Sequence, residues 1–193
     1  ILTNQGVFKH GFAILLLSLT QQTFFNLAAV KNINKKTPHL SGKELGDKLL
    51  YGFKNVPRSL SIILSDKLIT EGTDLINGLQ ESLGKSFPLI GASAADNFEN
   101  QKTYQYLNQE MLSDSCSGIL FGGKFNFGFG IKHGWKALGK MRCVSSSCGN
   151  VIKEIDGQAA VKLYENYFAK NTLELAKELR SISIYYPLGI YLP

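Results

Sequence analysis

The sequence predicts a mixed α/β fold: a partly parallel strand–helix–strand first half, then an antiparallel meander, with mixed sheets flanked by helices. Three observations carry that expectation. Between residues 12 and 91 short apolar runs alternate with two stretches of helical periodicity, the pattern left by strands joined through helical crossovers. Between residues 103 and 155 the chain instead breaks into short strand-like runs joined by tight polar turns, as in a meander. The composition, 44% hydrophobic, 11% aromatic and 19% charged over 193 residues, belongs to a globular chain long enough to bury a sizeable core.

The first element is expected as a buried strand over residues 12–19, in the run Lys9-His-Gly-Phe-Ala-Ile-Leu-Leu-Leu-Ser-Leu19. Its apolar stretch also has the look of a signal-peptide core, but is far short of the roughly twenty residues a membrane span needs. A polar connection holding Thr37-Pro38-His39 follows. Ser41 and Glu44 stand at capping-box spacing, and Leu45, Leu49, Leu50 and Phe53 then recur on one face until Pro57, which predicts a helix. Residues 60–65 read as a short buried strand ending at Asp66. Leu75, Ile76, Leu79 and Leu83 predict a second amphipathic helix, stopped by Gly84 where a C-cap glycine belongs. The next strand runs into Gly91.

Short strands are then expected at residues 103–107, 117–121, 125–132, 141–145 and 151–155. In Phe125-Asn-Phe-Gly-Phe-Gly-Ile-Lys132 the odd positions are apolar and the even ones small or polar, so three phenylalanines and Ile131 are expected to face a core. After Asp156-Gly157 a helix is expected with Ala160, Val161, Tyr164, Tyr167 and Phe168. A capped helix from Asn171, with Glu174 three residues on, comes next. A final strand is expected over residues 181–186, before Pro187.

The net charge of +6 invites a nucleic-acid or membrane-surface reading. Apart from Lys31, Lys35 and Lys36 in one polar connection, the basic residues are scattered and only three are arginines. No groove-reading motif accompanies them, so neither nucleic-acid binding nor a membrane span is expected. The cysteines, Cys116, Cys143 and Cys148, are odd in number and lie in or beside expected strands, which points to free thiols in a reducing, cytoplasmic compartment. Cys143 and Cys148 with His133 lack the four paired ligands of a structural zinc site, and neither metal nor cofactor is expected. The chain starts at Ile1 rather than Met and stops just after an apolar run, as a fragment of a longer sequence would.

Candidate binding residues fall in two glycine-punctuated turns, Pro88-Leu-Ile-Gly-Ala-Ser-Ala-Ala-Asp-Asn-Phe98 and Gly130-Ile-Lys-His-Gly-Trp135. A strand that breaks into small residues brings backbone amides and compact polar side chains to whatever sits above its end. The candidates are Gly91, Ser93, Asp96, Asn97, His133 and Trp135. Asp96 and Asn97 are suited to an ammonium or amide group and backbone amides near Gly91 to a carboxylate. His133 can donate or accept near neutral pH, and Trp135 offers a flat wall. The two turns are expected to line one hollow. A second reading is a hydrolase or acyl-transfer enzyme using Ser93 or Cys148 with His133. Gly91-Ala-Ser-Ala-Ala95, however, misses the second glycine of the G-x-S-x-G nucleophile elbow. Gly128, Gly130 and Gly134 do not form G-x-G-x-x-G and do not stand between a strand and a helix, which disfavours a dinucleotide fold. Asp66, at a strand end, suits a ligand contact and a turn cap equally.

Several of these segments occur together in a known order. Pro88-Leu-Ile-Gly-Ala-Ser-Ala-Ala-Asp96, then Thr103, then Gly130-Ile-Lys-His-Gly-Trp135, then Cys148-Gly-Asn-Val-Ile-Lys-Glu-Ile-Asp-Gly157 and Ala159-Ala160 with Tyr164 resemble the FIST family, named for F-box and intracellular signal-transduction proteins. The resemblance implies a FIST N-terminal-like domain over residues 1–157 and the beginning of a C-terminal-like domain over 158–193. It implies a non-enzymatic sensory module that binds a small molecule, an amino acid or related metabolite, and signals to an attached output domain or protein partner. Gly91-Ala92 stands where the family usually has paired glycines. No catalytic set comes with the resemblance. With only the opening of the second domain present, apolar residues around 186–191 are expected to be exposed.

Overall fold

The computed structural model describes residues 2–3, 6–7, 14–66, 72–96, 101–149 and 151–191. The chain forms two compact units, Ile1–Phe127 and Gly128–Pro193.

The first unit opens with a two-residue antiparallel ladder, β1 (Leu2–Thr3) with β2 (Gly6–Val7). It continues through β3 (Thr23–Lys31), α1 (Pro38–Leu50), β4 (Arg58–Ser65), α2 (Gly72–Leu83), β5 (Leu89–Ser93), β6 (Gln105–Leu107), β7 (Glu110–Leu112) and β8 (Ser115–Gly123). The main sheet has the order β3-β8-β4-β5. β4 and β5 are parallel, while β8 runs antiparallel between β3 and β4. The expected mixed α/β architecture is therefore present, with helical crossovers joining β3 to β4 and β4 to β5.

The first strand lies later than expected. Residues 14–20 carry no regular structure and Ile14, Leu15 and Leu16 are exposed; positions 12 and 13 lie outside the described residues. The strand is β3, all nine residues of which pair with β8. Its alternation sends Ala28 and Val30 into the core, whereas an unbroken leucine run presents apolar side chains to both faces and needs cover on each.

Helix α1 starts before Ser41. Thr37 is its N-cap, the hydroxyl accepting from Leu40 N at 3.2 Å, and Pro38 occupies the first turn, where its fixed φ and missing N–H cost nothing. Ser41 is instead fully buried inside the helix, and Glu44 pairs with Lys36 and Lys48. At the other end the Asn26 amide, from β3, reaches the carbonyls of Lys48, Leu49 and Tyr51 at 2.9–3.0 Å, meeting acceptors that a helix end leaves open.

In α2 the buried stripe is Leu75, Gly78, Leu79 and Leu83, with Ile76 on the exposed side, and Gly84 follows at φ 108°. The two helices cross closely. A Cβ on Gly42 would stand 2.0 Å from the Leu75 carbonyl oxygen, and one on Gly78 1.9 Å from that of His39. Leu45, Leu49, Leu79 and Leu83 pack with Val30, Ile63, Cys116 and Leu120 into one core between helices and sheet. Burial pushes the Cys116 thiol up to about 12.

The second unit holds an antiparallel sheet of β9 (Val144–Cys148), β10 (Val151–Ile155) and β11 (Gln158–Ala159), then α3 (Val161–Phe168) and α4 (Thr172–Tyr185). The capping box at α4 is complete: Asn171 Oδ1 accepts from Glu174 N and Glu174 Oε2 from Asn171 N, both at 3.0 Å.

Among the described residues two further expected strands are absent. Residues 125–132 form none, and Phe127, Phe129 and Ile131 are exposed, Ile131 by 93%. Alternation specifies a strand only where a partner offers a ladder and a face to cover, and no described strand pairs with this segment. Phe125 instead meets Phe121 edge-on, ring centroids 6.1 Å apart. Residues 181–185 continue α4 rather than forming a strand, because a capped helix with open acceptors extends at little cost. Tyr185, Tyr186, Leu188, Ile190 and Tyr191 are exposed, as expected of that end of the sequence.

Candidate functional site

The parallel register of β4 and β5, Ser61 opposite Leu89 through Ser65 opposite Ser93, brings both carboxyl ends to one level. The hydroxyls of Ser65 and Ser93 consequently share a hydrogen bond of 3.1 Å, and Ala94 N donates to Ser65 O at 2.8 Å, carrying the ladder one residue further. Outside the carboxyl ends of strands in open α/β sheets is where ligands characteristically bind.

Five of the six sequence candidates lie among the described residues. Gly91 faces Ile63 across the ladder, and a Cβ there would lie 2.1 Å from the Ile63 carbonyl oxygen, so its glycine serves close backbone approach. Ser93 is exposed at the strand end and Asp96 half-buried three residues beyond. Asp96 Oδ2 accepts from Gln101 N at 2.8 Å, drawing together the two ends of the connection that follows β5. Asn97 lies outside the described residues. Asp66, only 3% exposed, accepts from Asp114 N at 3.1 Å while its own N–H donates to Ser115 O at 3.0 Å. It thereby ties the end of β4 to the turn that leads into β8, 48 positions on.

His133 and Trp135 lie in the second unit, on the irregular segment before β9. Their rings are 5.4 Å apart and inclined by 42°, and Trp135 is 55% exposed. They do not form a tight turn between strands. Cys148 is exposed on β9 opposite Val151, and Cys143 is exposed as well. After Ser93 the chain runs into irregular residues 94–96, whereas a nucleophile elbow needs a strand-to-helix turn.

Sequence reasoning missed Ser65 and the buried cluster beside the strand ends. Ser115 Oγ donates to Gln105 Oε1, while Thr103 Oγ1 and Gln105 Nε2 are buried without a hydrogen-bond partner among the described residues. Nothing local marks Ser65, because its partner Ser93 stands 28 positions away. Among the described residues no helix is long and apolar enough to cross a membrane.

The family model for the FIST N domain matches residues 1–158. An uncharacterized protein of Methanocaldococcus jannaschii is 26% identical over 165 residues, covering 77% of this chain and 32% of that protein; the chain thus spans about a third of the length of this curated relative. No solved structure matches. With the domain model covering more than three quarters of its length, the chain belongs to the FIST family of signal-transduction sensory domains.

Proposed function

We propose that this chain is a non-enzymatic input domain that binds a small polar metabolite of the amino-acid class at the carboxyl ends of β4 and β5 and signals to an attached output domain or partner protein. The observation that carries the reading is the Ser65–Ser93 hydroxyl pair, 3.1 Å apart at the ends of two parallel strands, with the Asp96 carboxylate three residues further on. Paired hydroxyls and strand-end amides suit a carboxylate, and an aspartate suits an ammonium through a charge-assisted hydrogen bond. Gly91 keeps β5 close to β4, and Asn97, the next residue in sequence after Asp96, is proposed as a further ligand contact. In the second unit, taken by itself, the His133–Trp135 pair is proposed as a place where an apolar group packs on the indole. Three free thiols support a reducing, cytoplasmic setting.

A thermal-shift screen of amino acids and their derivatives tests the proposal. A ligand at a hundredfold its Kd adds about 2.7 kcal/mol, or several degrees for a chain of this size. Asp96→Asn keeps an acceptor for Gln101 N while removing the charge, and Ser93→Ala removes one hydroxyl. Both are expected to abolish most of the shift and leave the unliganded melting temperature near its original value. Trp135→Ala reads the second unit separately. A panel in which no hit responds to Asp96→Asn or Ser93→Ala refutes the strand-end site.

A further inference from the structure

We infer that the outer edge of β3 is a self-association surface, on which a second copy of this chain adds its own β3 antiparallel about Leu27. Among the described residues β3 is the outermost strand of the order β3-β8-β4-β5, paired with β8 alone. Residues 23–30, Thr-Phe-Phe-Asn-Leu-Ala-Ala-Val, contain no charge, glycine or proline, the residues that normally blunt an edge against pairing. Phe24 and Phe25 are half exposed and Leu27 is 40% exposed.

The direction of the open groups can be traced. Ala29 O accepts from Lys48 Nζ at 3.2 Å, so this carbonyl points away from the ladder to β8. By the two-residue alternation of an antiparallel strand, Phe25 and Leu27 address the same open edge. An incoming strand supplies a backbone N–H to Ala29 O in place of the lysine. Lys48 keeps its partner Glu44, at 2.9 Å.

Self-complementarity selects a second copy as the occupant. A two-fold axis at Leu27 sets Phe25 opposite Ala29, Phe24 opposite Val30, Asn26 opposite Ala28 and Thr23 opposite Lys31. Rings then lie against smaller side chains and no like charges meet across the axis. Beside the edge, an open groove of about 760 Å³ lies between β3 and α1. Leu40 and Tyr51 supply apolar surface there, and Lys43 and Lys48 are matched by Glu44 and Asp47. A chain of net charge +6 repels its own copies in general, but the groove beside this edge is lined by two cationic and two anionic side chains, and Lys31 at the end of β3 is paired with Glu110.

Sedimentation velocity over a range of micromolar concentrations reads the oligomeric state, and disulfide trapping reads the register. The chain is expected to dimerise, and Leu27→Lys, which sets like charges directly opposite, to return it to monomer with an unchanged circular dichroism spectrum. In a Cys143→Ser, Cys148→Ser background, Leu27→Cys is expected to crosslink two copies under mild oxidation, because directly opposed strand positions suit disulfide geometry. Tyr104→Cys, exposed on another part of the first unit, is not. A chain monomeric at every concentration overturns the inference, including one that instead takes up an extended peptide of another protein. So does a Leu27→Lys dimer, or equal crosslinking at Tyr104→Cys. Should Leu27→Lys fail to fold, the crosslinking pair decides alone.

Discussion

The crossing of α1 and α2 sets the height of the strand-end site, because α2 leaves β4 beyond Ser65 and returns to β5 ahead of Ser93. Substituting alanine at Gly42 or Gly78 tests how tightly that crossing is built. The added Cβ would stand 2.0 Å from Leu75 O in one case and 1.9 Å from His39 O in the other, where ordinary contact begins near 3.4 Å. Both obstacles are backbone, so relief requires the helices to separate by roughly 1.4 Å, a gap that forfeits much of the dispersion attraction along the crossing. Overpacking of this kind costs about 1–3 kcal/mol, and the gain in helix propensity from glycine to alanine returns about 0.8–1.0 kcal/mol. A clash of backbone on backbone belongs at the upper end of the overpacking range, so each substitution is expected to destabilise by about 2 kcal/mol, lowering the melting temperature by roughly 4–8 °C. One separation relieves both clashes, so the double variant should lose clearly less than the sum of the two. Urea and thermal unfolding of the four proteins in the cycle measure this. Gly134→Ala, with nothing within 4 Å of the added Cβ, serves as the control and should stay within about 0.5 kcal/mol of the parent. A Gly42→Ala protein as stable as the parent, or single-variant losses that add within about 0.5 kcal/mol, refutes the reasoning.

Two further outcomes follow from ionisation. Burial raises the Cys116 thiol from 9.0 to about 12, which leaves it about a thousandfold less thiolate at any pH below that range. A disulfide reagent at mildly alkaline pH should titrate Cys143 and Cys148 promptly and Cys116 only after denaturation; three fast thiols in the folded protein contradict the core described here. The Glu44 carboxyl is held below its ordinary 4.5 by hydrogen bonds first from Lys36 and then from Lys48. A carboxylate depressed in the folded state contributes above its unfolded pKa and loses that contribution as pH falls through the folded one. Glu44→Gln should thus be less stable than the parent near neutrality, by up to about 1 kcal/mol for so open a pair, and the difference should shrink in acid. A difference that is constant from neutral pH into strong acid would falsify this assignment.

What the sequence determined by itself was local. The stripe of Leu75, Leu79 and Leu83, the stop at Gly84 and the Asn171–Glu174 box are legible because a helix closes its hydrogen bonds within four residues. The start of α1 was hidden only by two competing caps: Thr37 with Pro38 prevailed over Ser41 with Glu44 because proline suits the first turn and Ser41 was needed in the interior. Strands are different, since their bonds lie outside the segment. Residues 14–19 and 125–132 carry strand-like patterns that no described strand pairs with, while β8 pairs with every one of residues 23–31, where the sequence alone marks no strand. Tertiary structure alone decided which apolar run entered the sheet. It also decided the site: Ser93 and Asp96 could be chosen from a strand that breaks into small residues, but Ser65 stands 28 positions before its hydroxyl partner. Only the parallel register of β4 and β5, fixed by the α2 crossover, sets the two hydroxyls side by side.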